Sequence, residues 1–123
     1  MGLYYVCFEL SKRHWNVMPT ARNARGIDVV AYDSTASTFV GIQVKALSKK
    51  SAVPLGNSLD RVLGDFWVIV NNLIIDPTAY ILTPREVCKR AHCERDGSYW
   101  LSRRDYGIDD FLSAWDRIGR GDK

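Results

Sequence analysis

At 123 residues the chain is long enough to bury one real core and too short for two, so a single domain spanning residues 1–123 is expected. Its apolar fraction of 46% and charged fraction of 25% exclude a disordered or fibrous protein. No apolar run approaches the roughly 18 residues that span a bilayer, and the basic, short-hydrophobic pattern of a signal peptide is absent, so a cytoplasmic location is expected.

The formal net charge of +3 is unevenly spread. Residues 1–50 hold seven basic and three acidic side chains, whereas residues 51–123 hold ten basic and eleven acidic ones. The positive excess therefore travels with the first part of the chain, where Arg22, Arg25, Lys49 and Lys50 bracket residues 26–45 as a phosphate-contacting rim would. The three cysteines, Cys7, Cys88 and Cys93, form no disulfide framework. Cys88, His92 and Cys93 fall short of the four ligands of a structural zinc site.

In chain order, Leu3, Val6, Cys7 and Leu10 recur at helical spacing and predict a helix over Gly2–Arg13, with Glu9 at the border of its apolar stripe. Trp15–Met18 has the alternation of a short strand that Pro19 ends. Residues 26–45, GIDVVAYDSTASTFVGIQVK, read as two strands joined by a turn over Ser34–Ser37. With that turn, Ile27 faces Val44, Val29 faces Ile42 and Ala31 faces Val40, which makes one face wholly apolar. On the other face Asp28 lies opposite Gln43, and Gln43 and Lys45, two residues apart, project together.

Residues 48–58 read as an irregular polar loop near that face, followed by a helical turn over Ser58–Leu63. Phe66–Val70 predicts a buried central strand and Ala79–Leu82 a further strand. Thr83-Pro84-Arg85-Glu86 is a capping box with proline at the first helical position, starting a helix that runs to about Ala91. Ser98–Ser102 reads as an extended segment. Ile108, Phe111, Leu112, Trp115 and Ile118 share a face at helical spacing and predict a last amphipathic helix.

An ELxxxxW passage (Glu9, Leu10, Trp15), GID at Gly26–Asp28, IQVK at Ile42–Lys45, DFWVIV at Asp65–Val70 and YILTPREV at Tyr80–Val87 follow one another at a spacing that resembles the PD-(D/E)XK nuclease superfamily. The likeness is to its small Holliday-junction-resolvase-like branches, with a QxK variant of the motif. It implies an α/β, restriction-endonuclease-like three-layer α/β/α fold around a central mixed sheet. It also implies a metal-dependent endonuclease hydrolysing phosphodiester bonds in DNA, with Mg2+ (or Mn2+) as cofactor and a homodimer as the working form. Carried over by residue, Asp28 is the principal metal ligand, Gln43 stands where the motif has a second acid, and Lys45 is the motif lysine. The main-chain carbonyl of Val44 and the helix-one Glu9 complete the expected metal set. Ile27 replaces the motif's proline.

The cluster makes chemical sense: hydrolysis of a phosphodiester needs charge neutralised on the phosphate and a water deprotonated near neutral pH, and a hard cation on oxygen ligands does both. From the residues alone, a second reading stands beside it, in which Asp28, Gln43 and Lys45 are an exposed polar hairpin face and Lys45 pairs with Asp28. At the level of function the corresponding alternative is an inactive nuclease-like module that binds nucleic acid or a protein partner.

Overall fold

The computed structural model describes residues 2–21, 26–72 and 75–122. The chain runs α1 (Gly2–Lys12), β1 (Asn16–Pro19), β2 (Val29–Tyr32), β3 (Phe39–Leu47), β4 (Val53–Gly56), β5 (Phe66–Asn71), β6 (Thr78–Leu82), α2 (Pro84–Arg90), β7 (His92–Cys93), β8 (Tyr99–Leu101) and α3 (Arg103–Tyr106). Five strands form the central sheet in the order β1-β2-β3-β5-β6, and β4, β8 and β7 form a second, smaller sheet. Only the β3–β5 pairing is parallel; β1–β2, β2–β3 and β5–β6 are antiparallel, so the central sheet is mixed.

Each face of that sheet has its own core. Val40 and Ile42 on β3, Val68 and Val70 on β5, and Ala79 and Ile81 on β6 pack against Val6 and Leu10 of α1 and against Trp115 and Ile118. Strand alternation sends Trp67, Ile69, Tyr80 and Leu82 to the other face, where Val87 of α2, Val53 and Leu101 of the small sheet and Tyr106 of α3 cover them. β5 is buried almost throughout, as a central strand with both faces covered must be.

The predicted capping box is present. Thr83 Oγ1 accepts from the Glu86 N–H at 3.2 Å, and Glu86 Oε1 accepts from the Thr83 N–H at 2.8 Å. Glu86 also receives both terminal nitrogens of Arg117 at 2.8 Å, which fastens the start of α2 to the C-terminal segment. These bonds hold its carboxyl below the ordinary glutamate value, against the opposing effect of burial.

Two expectations are corrected. Residues 108–118 are not an α-helix: the third α-helix is the short α3, and beyond Gly107 the chain runs beside the β6 edge before a single 3₁₀ turn at Trp115–Arg117. There the Ile81 N–H donates to the Phe111 carbonyl at 2.9 Å and the Ser113 N–H to the Ala79 carbonyl at 2.8 Å. Backbone groups spent on the sheet edge are lost to a helix, and the φ of +49° at Ser113 interrupts any helical run. The apolar spacing reflects delivery to two cores, Phe111 to one and Trp115 and Ile118 to the other. Within the segment read as an irregular loop, β3 continues to Leu47, and Val53–Gly56 is a strand paired with β8. The expected turn at Ser58 is present as a single 3₁₀ turn over Leu59–Arg61, capped by the Ser58 hydroxyl.

Candidate active site

The β2–β3 hairpin has the register read from its side chains, with Val29 paired to Ile42 and Ala31 to Val40. Regular pairing stops at Val29, and the alternation slips there. Ile27 does not face Val44: its side chain lies over Gly41 and Gly64, on the opposite face of the sheet from the α1 core. A methyl on Gly64 would stand 2.8 Å from Ile27 Cδ1, so the absence of a side chain at Gly64 makes room for this wedge.

Asp28 follows directly and is pinned through its backbone. Its N–H donates to the Ile42 carbonyl and its carbonyl accepts from the Thr20 N–H, both at 2.9 Å, while the Thr20 hydroxyl donates to the Ile27 carbonyl. The half-buried Asp28 carboxylate then lies in line with the sheet, Oδ2 accepting the Val44 N–H at 2.6 Å. In an extended strand the N–H and C=O of one residue point to the same side, so the Val44 carbonyl is directed to the edge where Asp28 stands.

Gln43 and Lys45 project from the face opposite Val44, one residue to either side of it. Gln43 is 5% exposed, and its Oε1 has no hydrogen-bond partner among the described residues. An amide oxygen buried without a donor costs roughly 1–3 kcal/mol. Gly26 closes over this side chain with φ +81°, and a β-carbon there would stand 3.3 Å from Oε1. Lys45 makes no ion pair with Asp28; its ammonium sits over the indole of Trp67, 5.5 Å from the ring centroid. The exposed-face reading with a Lys45–Asp28 pair is therefore not what the fold produces.

Gln43 and Lys45 open into a cleft of about 560 Å³, walled by Gly26, Pro54, Leu55, Gly56, Arg61, Val62, Leu63 and Trp67. β4 and the 3₁₀ turn form its far side. The segment expected near this face is there, but as a strand and a 3₁₀ turn and not as an irregular loop.

The remaining expected site residues are dispersed. Glu9 has its carboxylate bound by Arg13 at 3.0 Å and Lys12 at 3.5 Å, both within a turn of it along the chain. Lys50 is drawn into packing, donating to the Gly107 carbonyl at 3.2 Å with its ammonium over the Tyr80 ring. Lys49 is exposed. Arg22 and Arg25 lie outside the described residues. No cluster of three or more His, Cys, Asp or Glu side chains suited to a metal occurs among the described residues. Oxygen ligands here would have to include an amide and a main-chain carbonyl.

No protein-family model matches the chain, and no curated protein sequence does. Solved structures do. A bacterial homing endonuclease, I-Ssp6803I, superposes with a TM-score of 0.64 at 14% identity, over 96% of this chain and 88% of that one. The Holliday junction resolvase Hjc of the archaeal hyperthermophile Archaeoglobus fulgidus superposes with a TM-score of 0.64 at 13% identity, over 97% and 93% of the two chains. The fold is thus the restriction-endonuclease-like fold. No helix is long and apolar enough to cross a membrane among the described residues.

Proposed function

We propose that the chain is a divalent-metal-dependent endonuclease that hydrolyses phosphodiester bonds in DNA, with its centre at Asp28, Gln43, Val44 and Lys45. The observation that carries this is the buried Oε1 of Gln43, without a partner among the described residues and one residue from the Val44 amide that the Asp28 carboxylate touches. A hard cation fits this donor set: the Asp28 carboxylate, the Gln43 amide oxygen and the Val44 carbonyl are all oxygen ligands, and Mg2+ takes one or two carboxylates and fills its shell with water and phosphate oxygens. Mg2+, with Mn2+ able to substitute, would neutralise phosphate charge and supply an acidified water when bound.

The chain's own contributions follow from placement. Asp28 is fixed through both of its backbone groups, so its carboxylate is held in place before any ligand arrives. Lys45 lies in the cleft, whose lining holds no carboxylate among the described residues, and is suited to stabilising charge that develops on the phosphate. The two nuclease structures of the same fold support the reaction class. One centre cuts one strand, so double-strand cleavage calls for a homodimer, which sedimentation would reveal.

A plasmid-nicking assay with Mg2+ or Mn2+ tests the proposal. Wild type nicks, and Asp28→Ala and Lys45→Ala do not. Equal, background nicking by all three on duplex, branched and single-stranded DNA overturns it. The bond between Asp28 and the Val44 N–H favours a second reading, in which the carboxylate serves only to end the strand pairing and the domain binds nucleic acid without turnover. DNA binding without metal-dependent cutting is its signature.

A further inference from the structure

The cleft beside the proposed centre carries a second cation that the motif does not account for. Arg61 closes the 3₁₀ turn Leu59–Arg61 and lines the same cleft as Gln43 and Lys45. Among the described residues the lining contains two cations and no carboxylate, a charge balance that suits an anion. Its other wall residues, Pro54, Leu55, Val62 and Leu63, offer no side-chain donor or acceptor to a base edge.

Arg61 is held on a braced turn. The Val62 N–H donates to the Leu59 carbonyl at 3.1 Å and Val62 is buried below it. The Trp67 indole N–H donates to the Leu63 carbonyl at 3.1 Å, tying the turn to the sheet strand that faces Gln43. The guanidinium itself is exposed and makes no ion pair among the described residues, although the adjacent Asp60 is within reach in sequence. A charged fork presented on a fixed turn, with its partner left open, is suited to bidentate contact with phosphate oxygens.

We infer that Arg61 is a substrate-binding residue that grips a non-scissile phosphate of the strand whose scissile phosphate lies at Lys45, reading backbone and not base sequence. This rests on the proposed function for the identity of the strand, and the test separates the two. Binding of a fluorescein-labelled oligonucleotide is measured across a salt series in the Asp28→Asn background, and nicking kinetics are measured in the wild-type background. Arg61→Ala and Arg61→Lys are compared with Arg85→Ala, an exposed arginine on α2 outside the cleft, with circular dichroism as the check on folding.

Arg61→Ala weakens binding by about tenfold or more and lowers the slope of log K against log salt by about 0.7–0.9, the value of one phosphate contact. It raises KM with kcat little changed, Arg61→Lys restores most of the affinity, and scrambled oligonucleotides behave alike. Arg85→Ala moves neither slope nor KM. Equal small changes in Arg61→Ala and Arg85→Ala overturn the assignment, as does nicking by wild type whose KM is indifferent to Arg61. Arg61-dependent binding without any cutting upholds the clamp and removes the nuclease reading; absence of oligonucleotide binding removes both.

Discussion

The β2–β3 hairpin carries one aspartate near each end, and the two are treated in opposite ways. At the turn end Asp33 is buried and its carboxylate accepts from the Thr35 and Ser37 hydroxyls and from the Ser37 and Thr38 amides. The Thr38 amide leads in holding its carboxyl below the ordinary aspartate value. Among the described residues, Asp28 at the open end accepts a single bond, from Val44, and the neighbouring Gln43 oxygen accepts none. Hydrogen-bond capacity at the turn is spent on the fold; at the open end it is withheld. A buried polar atom without a partner calls for an explanation, and at Gln43 the proposed cation supplies one.

The comparison breaks most visibly in activity. Asp28→Ala and Lys45→Ala are expected to lower metal-dependent nicking by about 10²–10³-fold, the loss typical of removing one charge-stabilising group, with melting temperatures close to wild type. Asp33→Ala should do the reverse, leaving the response to Mn2+ intact while melting earlier.

A smaller effect sharpens the role of the amide. Gln43→Glu keeps the shape and adds the carboxylate that the motif has here, so it should bind Mn2+ about tenfold more tightly or better, since ligand charge sets affinity at hard-cation sites. Without metal the same variant buries a second carboxylate near Asp28 and melts below wild type. A thermal-melt series with Mn2+ reads both signs: the metal-induced rise in Tm is larger in Gln43→Glu than in wild type. A smaller rise would place the amide outside the metal's reach.

At the turn end the dependence is on pH. Asp33 titrates lower in the folded chain than the ordinary 3.8, so its stabilising contribution is complete above 3.8 and is lost as pH falls through the lower folded value. The gap in Tm between wild type and Asp33→Ala should therefore be constant near neutrality and shrink as pH drops below 3.8. A gap that persists in acid would mean that the side chain acts through packing. The smallest effect is expected at Ala36, whose φ of +55° is left-handed. Ala36→Gly relieves that strain and adds unfolded-state entropy, for a net stabilisation of about 0.5 kcal/mol by denaturant melts, with the metal response untouched.

How much of this was legible in the sequence follows from which features repeat along the chain. The pairing of Val29 with Ile42 and Ala31 with Val40 could be read because an apolar face with a period of two tolerates only one register. The start of α2 could be read because a capping box is local chemistry between residues three apart. Ile27 was misplaced because alternation ends where Gly26 takes a positive φ, and a period cannot be extended past such a break. β4 was hidden by Pro54 and Gly56, which read as loop residues but are tolerated on a short strand with a register shift against β8. Glu9 was placed by motif order, and its pairing with Lys12 and Arg13 follows from their spacing of three and four residues. Arg61 left no trace at all: a lone cation in a polar stretch acquires meaning only when folding sets it across a cleft from Lys45.

On the proposed function, the open end of the hairpin, and not the turn end, holds a cation. Anomalous scattering from crystals soaked in Mn2+ tests it directly. The account predicts a manganese peak in contact with the Asp28 carboxylate and the Gln43 Oε1, none at Asp33, and loss of the peak in Asp28→Ala. No peak at Asp28 at millimolar Mn2+, with its carboxylate still on the Val44 amide, would contradict it.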